Sequence, residues 1–334
     1  MIVGKRRCTE TEAAKWQREQ HTPPCGRFAP SPSGRMHLGN IYTALAAWLC
    51  AKSRGGDFLL RMEDLDPMRC PRPFADKIRA DLEWLGLTWD NDVVPYQSER
   101  SDIYTYYFEE LRRAGHLYPC FCSRAQLHVA DAPHASDGRF VYKGTCRSLT
   151  PDQVAARAKR RHPAYRLILP DETIAFTDGH YGPQQYRLAT DWGDIIVRRS
   201  DGVFAYQLAV TIDDGLMGVT QVVRGWDLMS SAAPQLYLFR LFGFPAPSYL
   251  HLPLLVSPAG ERLAKREKAA DVGFLRSLCP EPEPLIGYLA FLLGQIDHYE
   301  PLKAADLIPL FDAKKIPGHD IVVPGNYWEK LTRK

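Results

Sequence analysis

From Cys25 onward, short apolar runs alternate with stretches of helical period, and this rhythm limits what the chain can fold into. The spacing predicts a strand near 25–30, a helix near 38–54, a strand near 57–63, a helix near 74–86 and another over 99–115. Strands separated by helices in this way form a parallel, doubly wound α/β sheet. The rhythm breaks over 116–185, where cysteines, prolines, glycines and the basic run Arg157–Arg161 gather, and this segment reads as an insertion. Alternation resumes in Ile195–Val197 and Val203–Val210, bridged by Ser200-Asp201-Gly202, which reads as a hairpin. Helical spacing follows over 227–243. The remainder reads as mainly helical, then a tail containing proline and glycine. The expected division is a basic extension at 1–24, two halves of a catalytic domain at 25–115 and 186–256 around the insertion, and a helical region at 257–334.

At 334 residues the chain has room for about two domains, and 45% hydrophobic residues suffice for a buried core. The apolar stretches Ile41–Cys50 and Leu285–Gly294 fall short of the ~20 residues that span a bilayer. The first residues, Met1 to Cys8, have no apolar segment behind their basic ones, which argues against a secretory signal. A cytoplasmic protein without a membrane partner is expected. A net charge of +3 neither demands nor excludes RNA, since a basic groove is easily offset elsewhere. The Arg157–Arg161 run could meet RNA phosphates, but it reads first as a solvated helix face.

The segment Gly26–Asn40 carries the most chemistry. A strand runs through Arg27 and Phe28 into Ala29-Pro30-Ser31-Pro32-Ser33-Gly34, and a helix then starts around His37, Gly39 and Asn40. Glycines allow close approach, and a helix N-terminus favours anions, so the turn suits phosphate groups. His37 is placed to donate to a triphosphate. Far along the chain, Ser257-Pro-Ala-Gly-Glu-Arg262-Leu263-Ala264-Lys265-Arg266 reads as a turn followed by a lysine-bearing loop. A lysine there can follow charge from ground state to transition state.

Together these motifs resemble the two signatures of class I aminoacyl-tRNA synthetases, and the Phe28–Gly34 run resembles the glutamyl-type enzymes. His37-Leu-Gly-Asn40 stands where that family has His-Ile-Gly-His, and Arg262-Leu-Ala-Lys-Arg266 stands where it has Lys-Met-Ser-Lys-Ser. Asn40, Arg262, Ala264 and Arg266 depart from the pattern, whereas Lys265 keeps the second lysine. The resemblance covers about 25–270. It implies a Rossmann-like catalytic domain, with ATP bound by Ser33, Gly34, His37, Gly39, Asn40 and 262–266, and His37 and Lys265 as the catalytic pair. It also implies Mg²⁺ accompanying ATP. L-glutamate needs a cation for its side-chain carboxylate and an anion for its ammonium. Arg27 at the end of the first strand and Glu63 at the end of the next meet that need. By resemblance Phe28, Ala29, Pro30, Ser31, Tyr206 and Arg224 join them.

Cys120-Phe-Cys122 and Cys146 supply three of the four ligands of a structural zinc ion. On chemistry alone the fourth is a histidine, His128 or His134, rather than Tyr142. In short glutamyl-type enzymes, however, a tyrosine four residues before the last cysteine fills that place, and this points to Tyr142.

Full-length glutamyl enzymes continue into anticodon-reading domains, for which the 66 residues after Lys268 are too few. That leads to the family's short branch, which activates glutamate without tRNA. It then esterifies the glutamyl group to the cyclopentenediol of queuosine at the wobble position of tRNA-Asp. A monomer is expected by the same resemblance.

Overall fold

The computed structural model describes residues 23–123, 141–263 and 271–332. The first half comprises β1 (Cys25–Phe28), α1 (Leu38–Lys52), β2 (Asp57–Leu60), α2 (Arg72–Trp84) and α3 (Ser101–Arg113). Then come β3 (Leu117–Cys120), α4 (Pro151–Ala158), β4 (Ala164–Leu167), β5 (Thr173–Asp178), β6 (Gly182–Arg187) and β7 (Ile195–Arg198). The chain continues through α5 (Tyr206–Leu216), β8 (Gln221–Gly225), α6 (Ala232–Phe242), β9 (Ser248–Leu252) and β10 (Leu255–Val256). It closes with α7 (Val272–Leu278), α8 (Glu283–Leu292), β11 (Ile321–Val322) and α9 (Trp328–Thr332).

Six strands form the main sheet in the order β2-β1-β8-β9-β5-β6. Every pairing is parallel except that of β5 with β6. The parallel strands are short, and successive residues along β1, β8 and β9 are buried, as expected of a sheet covered on both faces. Helix α1 packs over β1 and β8, and it is alanine-rich and buried almost all round. Gly26 makes this approach possible, since a Cβ there would meet that of Ala51 at 3.3 Å. The C-terminal ends of β1, β2 and β8 therefore lie side by side, which is where open α/β sheets bind ligands. They deliver Arg27, Arg61 to Glu63, and Arg224 to one place.

A second, antiparallel sheet is built from β3, β4 and β7, in that order. It joins the segment carrying the three cysteines to the helix α5 that follows β7. Phe108, Leu167, Val197, Leu208 and Ile212 pack in the core between these elements. The hairpin expected over 195–210 is half wrong. β7 forms, and only a single bridge, Arg198 to Phe204, continues it. Tyr206 opens a helix instead, because Leu208, Ala209 and Ile212 recur at helical spacing and all three are fully buried. The alternation seen in Val203–Val210 was the start of that period, read over too short a window.

After the main sheet, α8 buries Leu285, Ile286, Leu289 and Ala290 in the same core as α1. β10 pairs in parallel with β11, Leu255 opposite Ile321, which ties the final segment to the stretch entering the lysine motif.

Candidate active site and cysteine cluster

The turn between β1 and α1 places His37 at the helix N-cap, with extended backbone. Its N–H donates to the Asn40 side-chain oxygen at 3.1 Å. Asn40, one of the departures from the family pattern, thus caps the helix whose N-terminus the ligand would meet. Gly39 is held close beside this histidine, since a Cβ would lie 3.2 Å from ring atoms of His37.

A cavity of about 460 Å³ opens over these strand ends. Its wall contains Arg27, Phe28, Ala29, Pro30, Ser31, Ser33, Gly34, His37, Asn40, Glu63, Tyr206, Arg224 and Arg262. Gly39 and Leu263 line a smaller adjoining recess that shares His37, Asn40 and Arg262. Arg262 forms an ion pair with Asp227, another wall residue. Ala264, Lys265 and Arg266 lie outside the described residues, as do His128, His134 and residues 1–22.

The floor is a buried charge network. Arg27 Nε lies 3.3 Å from Asp214 Oδ2. Arg61, fully buried, reaches Asp214 at 2.8 Å, Glu63 at 3.0 Å and Asp213 at 3.6 Å. Asp213 also accepts from Gln97, Arg100 and Tyr104, each at 2.8 Å. Burial pushes the Glu63 carboxyl up, against the pull of Arg61 and Arg27. For Asp214 burial pushes the same way, but Arg27 and Arg61 together hold it below the ordinary carboxylate value. The cations Arg27, Arg61 and Arg100 are thus matched by Asp213, Asp214 and Glu63.

Arg224 is different. It is 5% exposed, and its hydrogen-bond partners among the described residues are neutral: His251 Nε2 at 3.1 Å, Gln235 Oε1 at 2.9 Å and the Leu228 carbonyl at 3.1 Å. The Tyr249 ring lies beneath the guanidinium at 5.1 Å. A buried cation without a facing carboxylate is costly, and a carboxylate ligand would relieve that cost. Behind it, His251 Nδ1 pairs with Asp178 Oδ2 at 2.6 Å, and Asp178 also takes the His180 and Tyr181 N–H groups. Burial depresses the His251 pKa, and the Arg224 charge adds to it, against the pull of Asp178. Neutral His251 donates from Nδ1 to Asp178 and accepts from Arg224 at Nε2.

Asp213, Asp214, Arg61, Asp178 and His251 were not expected from the sequence. A signal was present for the first two, since paired acids inside the apolar stretch Leu208–Leu216 call for buried partners. For Asp178 and His251, which are 73 positions apart, no local pattern exists.

The three cysteines converge, with their sulfur atoms all within 4.8 Å of one another. Cys122 and Cys146 sulfurs are 3.6 Å apart, and the Tyr142 hydroxyl lies 3.5 Å from the sulfurs of both Cys120 and Cys122. Ligands about 2.0–2.3 Å from one tetrahedral ion stand roughly 3.5–3.8 Å from each other. The three separations just given are those of neighbouring ligands of such an ion, and the three-cysteine cluster suits zinc. Burial would raise the Cys120 thiol, but hydrogen bonds with Tyr142 and with the Cys122 backbone, and the Arg166 guanidinium, hold it below its usual value. Tyr142 is held by a bridge to Gly193, whose φ of 62° suits glycine and whose Cβ would fall 2.6 Å from the Tyr142 carbonyl oxygen.

Residues 25–307 match the family model described as tRNA synthetases class I (E and Q), catalytic domain. The chain belongs to this family. Within it, a glutamyl-Q tRNA(Asp) synthetase of Symbiobacterium thermophilum is 50% identical, over 90% of this chain and 96% of that protein. One from Nitratidesulfovibrio vulgaris is 45% identical, over 92% and 98%. Among solved structures, a glutamate tRNA ligase of Elizabethkingia meningosepticum in complex with its amino acid superposes with a TM-score of 0.74 at 29% identity. That match covers 93% of this chain and 68% of the ligase. The parallel sheet with the cavity over its strand ends is thus the catalytic domain of a class I glutamyl/glutaminyl-type synthetase. No helix among the described residues is long and apolar enough to cross a membrane.

The His251 relay has a pH consequence. A histidine depressed in the fold contributes stability that is full above its unfolded value of 6.5 and is lost as the pH falls toward the folded one. The melting temperature is expected to fall between pH 7.5 and 5.5, and to fall less in His251→Gln. Thermal melts at the two pH values check this, and equal slopes would contradict it.

Proposed function

We propose that this chain activates L-glutamate with ATP as glutamyl-adenylate, without needing tRNA, and then esterifies the glutamyl group to queuosine at the wobble position of tRNA(Asp). The observation carrying this reading is Arg224, a buried cation facing neutral partners beside the balanced Arg27–Glu63 floor. Likeness over nearly the whole chain to glutamyl-Q tRNA(Asp) synthetases supports the choice of acceptor.

In this reading Arg27 and Arg224 receive the side-chain carboxylate and Glu63 the α-ammonium. Phe28 to Ser31 and Tyr206 shape the pocket between them. The α-carboxylate then attacks the α-phosphorus of ATP in line and pyrophosphate leaves. Ser33, Gly34, Gly39, Asn40, Arg262 and Leu263 hold the nucleotide, with His37 donating to the triphosphate. Lys265, with Ala264 and Arg266 beside it, is assigned from its place in the sequence motif to stabilise the same charge. Mg²⁺ accompanying the ATP would supply further neutralisation of that charge. A hydroxyl of the queuosine diol next attacks the acyl carbon, and AMP departs. Positioning and charge stabilisation account for the catalysis, and no side chain is required as a base.

The cysteine cluster, in the same reading, holds one structural Zn²⁺ through Cys120, Cys122, Cys146 and Tyr142. Bound zinc would fix the segment after β3 against β4, where Arg166 touches both the Cys120 sulfur and the Tyr142 ring.

Three measurements test these assignments. Labelled glutamate and ATP should charge queuosine-containing tRNA(Asp), with no product when the same tRNA lacks queuosine; charging of a tRNA 3′ end instead would overturn the acceptor. Arg27→Ala should lower glutamate-dependent pyrophosphate exchange at least tenfold, about 1.4 kcal/mol, and unchanged exchange removes Arg27 from the site. Elemental analysis of reduced protein should find one zinc per chain, lost in Cys122→Ala with a lower melting temperature.

A further inference from the structure

The two signature segments are tied together by a contact that neither motif contains. Asp81 lies on α2 and is fully buried. Its Oδ1 receives Arg35 Nη2 at 3.3 Å and Arg276 Nη1 at 3.0 Å. Arg35 sits two residues before His37 and lines the cavity. Arg276 belongs to α7, which starts directly after the lysine motif. Arg35 Nε also lies 3.6 Å from Asp271, the residue that caps α7.

The backbone runs the same way. His37 forms an antiparallel bridge with Asp271, and the Val272 N–H donates to the Met36 carbonyl at 3.0 Å. Gly273 allows it, because a Cβ there would overlap the Arg35 guanidinium at 2.0 Å. The second Asp81 oxygen is buried with no hydrogen-bond partner among the described residues. A buried carboxylate kept in that state, with arginines from the phosphate turn and from α7 on its other oxygen, is an expensive arrangement unless both cations stay in place.

We infer that Asp81 is a positioning residue for the ATP-dependent step, locking Arg35 and Arg276 so that the phosphate-facing turn at 31–37 is held in register with the start of α7. It touches no substrate. It acts through the backbone of the turn that presents His37, on the nucleotide side of the cavity, whereas the Arg27, Glu63 and Arg224 side rests on other partners. Its loss should therefore weaken ATP binding selectively. The inference rests on the proposed adenylate-forming reaction.

The test is pyrophosphate exchange with glutamate and ATP varied separately. Wild-type protein without glutamate-dependent exchange would sink the proposed reaction itself. With exchange present, Asp81→Asn is expected to raise KM for ATP about tenfold and leave KM for glutamate within about twofold. Arg276→Met, which removes only the outer cation, should reproduce part of the rise, and combining it with Asp81→Asn should add less than the sum. If Asp81→Asn fails to fold, Arg35→Met and Arg276→Met decide by the same ratio. Both KM values rising together, or neither moving, overturns the inference.

Discussion

The site depends on one fully buried guanidinium. Arg61 holds Asp213, Asp214 and Glu63 at once, and through Asp214 it sets Arg27. Arg27, Arg61, Asp213, Asp214 and Glu63 are withdrawn from water together, with the half-buried Arg100 at their edge, so each keeps the others in place. Removing one partner of such a set typically costs about 3–5 kcal/mol, because the remainder is left buried and uncompensated. The floor is thus charge-balanced before any ligand arrives, whereas Arg224 has only neutral partners among the described residues.

That division has a chemical use. A balanced floor does not attract anions at large, whereas a guanidinium resting on His251, Gln235 and a carbonyl group is open to the one carboxylate proposed for it. Its orientation comes from behind, through His251 to Asp178 on β5, a strand contributed by the segment between the two halves of the parallel sheet. Specificity and architecture therefore meet at the same side chains. Glu63, pushed up by burial and pulled down by Arg61 and Arg27, is poised to gain from an ammonium group nearby.

The strand, turn and helix over 25–52 were legible in the sequence because their signals are local: an apolar strand, small residues, a helix N-terminus. The parallel sheet was legible for a similar reason, through its repeated period. Tyr206 was placed at the site but on a strand, since the helix it opens shows its period only with Ile212 included. The Asp213-Asp214 pair could have been noticed as acids in an apolar stretch. Asp81 and the Asp178–His251 pair could not, since their partners are brought close only by tertiary packing. Tyr142 shows the opposite balance: ligand chemistry pointed to histidine, family spacing pointed to tyrosine, and the hydroxyl is found 3.5 Å from two of the sulfurs.

The most direct test of the central claim compares glutamate with glutamine in ATP–pyrophosphate exchange. The two differ at the group that Arg224 and Arg27 are assigned to receive, and a neutral amide cannot offset a buried guanidinium. A preference for glutamate of about 100-fold or more in kcat/KM is the predicted result. Equal use of both, or exchange that needs neither, would contradict the account.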